Sequence, residues 1–205
     1  MKKLLASLLT VLALAQPALS RAEVATPDTL VRDVTNDVLE VVKRDKDIQN
    51  GNQKRTQQLI ETKVLPHFNF AHMTSFAMGR DWRLANGDQQ KTLTEEFKNL
   101  LVRTYSNAFS NYKNQTVTVK PSRVQPADTD ATVRTLISQA SGQPVQIDYS
   151  LEKTQNGWKV YDVIVAGSSL VTVYRQKFHE QVQNGGVDGL IKFLQDGSIG
   201  AVARK

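Results

Sequence analysis

The sequence predicts an α+β fold, in which helices are followed by about four antiparallel strands, because the spacing of apolar residues changes along the chain. In the first half they recur at helical spacing. Between residues 145 and 151 they alternate with polar residues, as in a half-buried strand, and Asn156-Gly157 is a typical hairpin turn. Helical spacing returns after Ser169. A hairpin that leads directly into an amphipathic helix gives two walls that face each other, and the contents of the space between them decide the function.

Two helices are predicted near the start of the chain. Thr26-Pro27-Asp28 combines a capping side chain, a proline at the first helical position and an acid in the first turn. Asn50-Gly51 is expected to end this helix. A second helix is expected to begin near Asn52 and to end at Pro66, because proline cannot continue a helix.

The segment 67–78 is rich in aromatic residues and predicts a short helix that is closed by Gly79. Asn86-Gly87-Asp88 is expected to form a turn. The clearest helical pattern in the sequence then runs from Leu93 to Tyr112, with an apolar stripe on one face and charged residues on the other.

The strands are predicted in the second half of the chain. Val117 and Val119 alternate with polar residues, the segment 131–138 predicts another strand, and the hairpin adds two more. Asn184-Gly185-Gly186 is expected to end the helix after the hairpin. A last short helix is expected over 187–194.

Residues 1–22 are predicted to be a secretory signal peptide. Lys2-Lys3 is a short basic start, 4–15 is an apolar run, and small residues allow cleavage after Ser20 or Ala22. The apolar run is too short to span a bilayer comfortably. We therefore expect a cleaved leader (1–22), a single domain (23–197) that works outside the cytoplasm, and a flexible C-terminal tail (198–205).

Charge and missing residue types argue against several classes of function. Loss of Lys2-Lys3 and Arg21 lowers the formal net charge from +6 to +3, and the basic residues are scattered among acids, so nucleic-acid binding has little support. Without cysteine the chain can form neither disulfides nor thiolate metal sites. The three histidines lack the H-x-x-x-H spacing of zinc sites, so no metal is expected.

Asp148, Tyr149 and Asp162 form the one set of residues that could serve catalysis. A carboxylate inside an apolar cavity can act as a general base, with a tyrosine as a hydrogen-bond donor. The same acids could instead lie on the solvent face of a strand or hold a neighbouring loop, which is common for acids on half-exposed strands. The sequence leaves both interpretations open.

Two long stretches of the sequence resemble the MlaC family, also known as toluene-tolerance proteins. The second stretch is the more specific one, and the resemblance covers essentially the whole mature chain. The matching residues are FNFAHMTSFAMGRDW at 68–82 with Gln90, Phe97, Leu100-Leu101 and Tyr105, and GWKVYDVIVAGSSLVTVYRQKF at 157–178 with GGVDGLI at 185–191.

The resemblance implies both a fold and a function. Members of this family are periplasmic phospholipid-binding proteins that act as auxiliary components of an ABC transporter. They carry lipid between an outer-membrane lipoprotein–porin complex and an inner-membrane transporter with a lipid-binding ring subunit, which maintains the lipid asymmetry of the outer membrane. Their fold is a twisted antiparallel sheet wrapped by helices around an apolar cavity. By resemblance we expect a monomer that carries phospholipid as cargo, with no other cofactor and no enzymatic activity.

Such a cavity needs apolar walls from the long helix, the sheet and the helix after the hairpin. Two acyl chains hold roughly 30 methylenes, and exposing them to water would cost on the order of 24 kcal/mol at about 0.8 kcal/mol each. A headgroup left in water needs no matching polar groups, so we expect weak headgroup selectivity. The candidate lipid-binding residues are Phe70, Met73, Phe97, Leu100, Leu101, Tyr105, Ile147, Tyr149, Leu151, Leu170, Val171 and Tyr174.

The strand that begins at Trp158 is left out of this set, because the hairpin loop can have different lengths and a slip of one residue reverses the face of every side chain. A loop of two or four residues places Leu151 on the face of Trp158, Val160 and Ile164, whereas a three-residue loop with a bulge places it with Tyr161, Val163 and Val165.

Three alternatives stay open from the sequence. A carrier of another apolar cargo, such as a hopanoid, would need a shorter and wider cavity. An enzyme on a cone-shaped α+β fold would use Asp148 or Asp162 as its base. A structural module would have a solid core instead of a cavity.

Overall fold

The structure is a computed structural model that describes residues 25–107, 115–138 and 143–197. The predicted signal peptide (1–22) and the predicted C-terminal tail (198–205) lie outside these residues. The predicted last part of the long helix, beyond residue 107, lies outside them as well.

Helix α1 spans Pro27–Arg44 and begins as predicted, since the hydroxyl of Thr26 accepts a hydrogen bond of 3.4 Å from a backbone N–H of the first turn. The end predicted at Asn50-Gly51 is wrong, because the helix stops at its eighteenth residue. The carboxylate of Asp45 accepts hydrogen bonds of 3.0 and 3.2 Å from two backbone N–H groups that follow it. These bonds start a separate short helix, α2 (Lys46–Gln49).

Helix α3 spans Gln53–Leu59 and begins, as predicted, after Asn52, whose side chain accepts a hydrogen bond of 3.2 Å from a backbone N–H of the first turn. The chain then continues as a π-helical turn (Ile60–Val64) and a 3₁₀ turn (Leu65–His67). Pro66 lies in the 3₁₀ turn. Because proline has no backbone N–H, the regular helical hydrogen bonds stop there.

Helix α4 spans Phe70–Met78 and ends where Gly79 takes a φ of 57°, a value that favours glycine. A 3₁₀ helix (Gly79–Leu84) connects it to helix α5 (Gly87–Tyr105). The residues from Asn86 onward were expected to form a turn, but they start α5 instead. The Asn86 side chain accepts hydrogen bonds of 3.0 and 2.9 Å from two backbone N–H groups of the first turn.

In the described part of the chain, five strands form one antiparallel sheet in which each strand pairs with the next along the chain. The sequence predicts about four strands, and the additional one is the two-residue strand β5, which pairs with the end of β4. The chain can turn back between them because Ala166 and Gly167 take φ values of 48° and 85°. The strands are β1 (Thr116–Val119), β2 (Asp130–Ser138), β3 (Val145–Thr154), β4 (Gly157–Val165) and β5 (Ser168–Ser169).

The turn of the β3–β4 hairpin has two residues, 155 and 156, between the paired residues Thr154 and Gly157. Gly157 directly follows these two residues and takes a φ of 89°. The glycine of the predicted Asn156-Gly157 turn therefore adopts the left-handed conformation that a tight hairpin needs. Leu151 pairs with Val160 and shares a face with Trp158, which is the register that the short loop predicts.

The second half of the same hairpin follows the other predicted register. Ser150 pairs with Asp162, so Tyr161 is an additional residue on β4, in a β-bulge. Beyond the bulge, Val163 and Val165 lie on the face of Leu151, and the residue between them does not. The hairpin therefore follows the first alternative before the bulge and the second one after it, and Ile164, which the first alternative placed beside Leu151, lies on the opposite face.

Helix α6 spans Leu170–Gln195 and begins at Ser169, whose hydroxyl accepts a hydrogen bond of 3.2 Å from a backbone N–H of the first turn. The end predicted at Asn184-Gly185-Gly186 is present as a break, since Gly186 has a φ of 66° and a ψ of −168°. The last segment of the helix follows this break, where the sequence predicts a separate short helix.

Three apolar clusters hold these elements together. The largest joins α4, α5 and α6, the second joins α1 to one face of the sheet, and the third lies among α1, α2 and α3. Phe68 contacts the first two clusters, so it lies where the helical layer meets the sheet. Among the described residues, we find no helix that combines the length and the apolar character needed to cross a membrane.

Candidate functional site

One face of the sheet is apolar from β1 to β4, and we refer to it as the inner face. Tyr149 on β3 pairs with Val133 on β2 and with Val163 on β4, and paired residues project to the same side of a sheet. The outer face is mostly polar and carries Thr132 and Arg134 on β2, with Leu136 as an apolar exception on the same strand. The other members of the inner face are Val117, Val119, Ala131, Thr135, Ile137, Val145, Ile147, Leu151, Trp158, Val160 and Val165.

Helix α1 covers one end of the inner face. Val31 of this helix packs with Val133, Leu151, Trp158 and Val160, and none of these five side chains is more than 6% exposed. The end of the inner face near Leu151 is therefore filled by protein side chains.

The side chains at the other end of the inner face are less buried. Ile137, Val145, Ile147 and Val165 are only half-buried. Helix α5 packs against α4 and α6 in the largest apolar cluster. Half-buried apolar side chains on a sheet face keep surface that an apolar ligand can cover.

Tyr149 lies between the filled end and the half-buried end of the inner face. Burial raises the pKa of its hydroxyl, while a neighbouring side chain, Thr135, acts in the opposite direction. The side chain of Tyr149 is nevertheless only half-buried. Tyr149 therefore combines a desolvated hydroxyl with side-chain surface that stays accessible on the inner face, beside Ile147.

The two carboxylates that could serve as a catalytic base both lie on the outer side of the sheet. Asp148 accepts a hydrogen bond of 2.9 Å from the side chain of Gln146. Asp162 accepts hydrogen bonds from the backbone N–H groups of Val163 (2.8 Å) and Val171 (3.3 Å). Asp162 therefore holds the start of α6, and neither acid lies on the face of Tyr149.

Two of the three histidines each lie beside a single acid. His72 Nδ1 lies 2.9 Å from Glu152 Oε1, and His179 Nδ1 lies 2.7 Å from Asp81 Oδ2. Burial lowers the pKa of the third histidine, His67. Within the described ranges, no group of three or more histidine and acidic side chains is placed to hold a metal ion.

Comparison with known protein families identifies the family of this chain. The family model described as MlaC protein matches residues 32–196. The chain belongs to the MlaC family.

Known proteins of the MlaC type align over most of the chain. The toluene tolerance protein ttg2D of Pseudomonas putida is 29% identical over 197 residues, which cover 96% of this chain and 90% of that protein. The intermembrane phospholipid transport system binding protein MlaC of Haemophilus influenzae is 25% identical over 150 residues, which cover 72% of this chain and 69% of that protein.

A solved structure matches the fold. The phospholipid-binding protein from Ralstonia solanacearum, determined in complex with a phospholipid, superposes with a TM-score of 0.79 at 39% sequence identity. The match covers 88% of this chain and 100% of that chain. The predicted MlaC-type fold, a sheet with helices packed against it, is therefore confirmed.

The candidate lipid-binding residues fall into two groups in this MlaC-family structure. One group is packed solidly in the core: the Phe97 ring lies 5.2 Å from that of Tyr174 and 5.1 Å from that of Phe178, in edge-to-face contacts. Leu101, also in the core, is 8% exposed. The candidates that are at most 2% exposed are Met73, Phe97, Leu100, Leu151, Val171 and Tyr174.

The second group retains accessible surface. Ile147 and Tyr149 are half-buried on the inner face of the sheet. Tyr105 lies at the end of α5, where burial raises the pKa of its hydroxyl, and Leu170 is the first residue of α6. Phe70 lies at the start of α4 and stacks on Phe68 with ring centroids 5.5 Å apart. The structure brings Ile147 and Tyr149 together on one strand face but does not bring all twelve candidates to one surface.

The sequence missed several residues of the inner face. Val163 and Val165 were left out because the register of β4 was open, although their alternation was visible. Ile137 and Val145 are paired neighbours on β2 and β3 and lie on the same face. The alternation within 131–138 would have identified Ile137, once the direction of the inner face was known.

Proposed function

We propose that this chain is a periplasmic phospholipid carrier. The observation that carries the proposal is the R. solanacearum protein, which is 39% identical, matches along its whole length and was solved in complex with a phospholipid. At that identity, a match over the whole chain supports a similar ligand as well as a similar fold. The half-buried apolar side chains around Tyr149 and Ile147 add support, since acyl tails that covered them would be shielded from water.

In this proposal the acyl tails contact the half-buried candidates, and the fully buried ones form the wall behind them. A side chain with no accessible surface cannot touch a ligand unless the core rearranges, which is costly in a close-packed interior. The tail contacts are therefore Phe70, Tyr105, Ile147, Tyr149 and Leu170, with Ile137, Val145, Val163 and Val165 added from the inner face.

A carrier of this kind must bind a lipid with a free energy close to that of the lipid in the bilayer. Withdrawing two acyl chains into water would cost on the order of 24 kcal/mol for roughly 30 methylenes. The protein must recover nearly all of this free energy, but not more than the membrane does, or it could not release its cargo. Apolar tail contacts combined with a headgroup in water satisfy both conditions, and they predict weak headgroup selectivity.

We further propose that the chain takes its lipid to and from membrane-bound complexes. The names of its relatives support this role, since the H. influenzae protein is called an intermembrane phospholipid transport system binding protein. By the resemblance, the partners are an outer-membrane lipoprotein–porin complex and the lipid-binding ring subunit of an inner-membrane ABC transporter. The carrier would act as a monomer without catalytic activity and would help maintain outer-membrane lipid asymmetry.

Mass analysis of the bound lipid tests the proposal. The full-length chain is expressed in a double-membrane bacterium, purified from the periplasm without detergent, and extracted with organic solvent. We expect phospholipids of more than one headgroup class, in up to one molecule per protein. Recovery of a hopanoid as the main lipid would establish the other carrier function. Protein that is empty and cannot be loaded from phospholipid vesicles would contradict both.

A further inference from the structure

A concave surface is lined entirely by helical residues and by no residue of the sheet. It runs between the end of α4 with its following 3₁₀ helix and the first half of α6. Its volume is about 940 Å³, near the upper end for ligand pockets in proteins. We call it the arginine groove, after Arg80, Arg83 and Arg175 in its lining.

The arginine groove carries an excess of positive charge. Its lining contains three arginines and a single carboxylate, Asp81, which is mostly buried and paired with His179. Arg175 donates hydrogen bonds of 3.2 and 2.8 Å to the backbone carbonyl of Phe76, so its position is fixed. Within the described part of the chain, Arg80 and Arg83 are exposed and have no carboxylate partner.

Exposed apolar side chains lie in this groove or next to its lining residues in the sequence. Phe76 lines it and is 44% exposed. Leu84 is 63% exposed and Val173 is 36% exposed, and each follows a lining residue directly in sequence. These three are the only large apolar side chains that the described residues leave exposed. Arginine beside exposed aromatic and aliphatic side chains is the composition of a protein interface, not of an ordinary surface.

The shape and charge of the groove favour one kind of occupant. A groove between two packed segments admits the side chains of a helix or an extended peptide, whereas a membrane surface is planar and cannot enter it. Guanidinium groups that lack a partner bind carboxylates through two parallel hydrogen bonds. The apolar rim at Phe76 adds sites for hydrophobic anchors.

We infer that the arginine groove is the docking site for an acidic amphipathic segment of a protein partner. Carboxylates of this segment pair with Arg80 and Arg83, and its apolar side chains contact Phe76 and Trp82. None of the residues that line the groove lies on the inner face of the sheet, so the segment and the proposed acyl tails contact different residues. This inference does not depend on which lipid the proposed carrier holds.

A peptide-display selection tests the inference. The purified full-length protein, with its bound lipid, is exposed to a library of random peptides of about 16 residues, enough for about four helical turns. The enriched peptides are then titrated against the wild type and against a double variant, Arg80→Glu with Arg83→Glu. A second double variant, Lys54→Glu with Arg123→Glu, makes the same change in net charge at exposed residues outside the groove. Vesicles with and without anionic phospholipid are tested in parallel.

We expect enriched peptides to combine Asp and Glu with apolar residues at helical spacing. The Arg80→Glu/Arg83→Glu variant should bind them about tenfold or more weakly, and the charge-matched variant should bind them like the wild type. Equal binding by both variants, an absence of enriched peptides, or groove-dependent binding to anionic vesicles alone would each overturn the inference. If the groove variant still holds lipid, a loss of peptide binding in this variant cannot be attributed to a loss of lipid binding.

Discussion

The carboxylate of Asp162 on β4 accepts a hydrogen bond of 3.3 Å from the backbone N–H of Val171, in the first turn of α6. The same oxygen accepts a bond from the N–H of Val163. Both Asp162 and Val171 are buried, so water cannot replace this partner. The bond connects the sheet to the helix at the point where the chain passes from one to the other, and its negative charge lies at the positive end of the helix dipole.

Replacing Asp162 should therefore destabilise the protein. Asp162→Ala leaves a buried N–H group without an acceptor and should lower the free energy of unfolding by about 1–3 kcal/mol. Asp162→Asn keeps an acceptor oxygen and should cost at most about 1 kcal/mol. Urea unfolding measures both, with Asp33→Ala, at an exposed position, as the control. Equal losses of stability in the alanine and asparagine variants would show that the hydrogen-bond acceptor does not account for the destabilisation.

Adding a bulky side chain to the inner face of the sheet should displace the lipid. Ile147→Trp adds a bulky ring beside Tyr149, where we place the acyl tails, and should reduce the lipid recovered per protein by about half or more. Leu136→Trp is the matched control, because Leu136 is also half-buried on the sheet but lies on the outer face. The lipid-to-protein ratio is measured by solvent extraction. A similar loss of lipid in both variants would contradict the assignment of the faces.

The helical core should support the fold without touching the cargo. Phe97 is fully buried, so Phe97→Ala should lower the free energy of unfolding by about 3–5 kcal/mol. Leu84→Ala, at a position that is 63% exposed, should change it by no more than about 0.5 kcal/mol. The milder Phe97→Leu should keep the lipid-to-protein ratio of the wild type. Loss of lipid from a stable Phe97→Leu protein would mean that the tails reach this ring.

Tyr149 should make the protein less stable at high pH. Burial raises its pKa above the usual 10.0, so the unfolded chain loses this proton at a lower pH than the folded chain. The free energy of unfolding is unaffected below that pH and falls above it, by at most about 1.4 kcal/mol per pH unit for one group. Urea unfolding between about pH 8 and about pH 11 should show a smaller decrease for Tyr149→Phe than for the wild type. Equal decreases would place Tyr149 in contact with bulk solvent.

Much of the fold follows from local sequence signals. Thr26, Asn52 and Ser169 each cap a helix where the sequence predicts one, because a capping side chain acts on backbone groups only a few residues away. The residues at which helices end were less predictable from the sequence. Asp45 ends α1 early because its side chain caps a new helix. The apolar pattern continues past Asp45, so periodicity alone does not reveal this helix end.

The register of β4 shows what the sequence could not decide. Both patterns, Trp158 with Val160 and Val163 with Val165, alternate at the period of a strand, and the bulge at Tyr161 allows both to face inward. A bulge depends on what the additional residue contacts. Tyr161 stacks on His72 of α4, with ring centroids 4.5 Å apart, and this partner is far away in the sequence.

The candidate lipid-binding residues stay a prediction, and the structure shows only where each of them lies in the fold. The alternation of Ile147, Tyr149 and Leu151 correctly placed them on one face of the sheet. Helical spacing placed Phe97 and Tyr174 on apolar stripes, but a stripe packed against another helix looks the same as one that lines a cavity. Only the three-dimensional packing separates the two.

Photo-crosslinking of bound lipid tests the central claim most directly. A phospholipid with a photoreactive diazirine in one acyl tail is loaded onto the purified protein and irradiated, and the modified residues are located by peptide mass analysis. The account predicts adducts on the inner face of β3, at Ile147, Tyr149 and their neighbours. Adducts confined to the outer face of the sheet or to the arginine groove, or a loaded lipid whose tail labels no residue of the inner face, would contradict it.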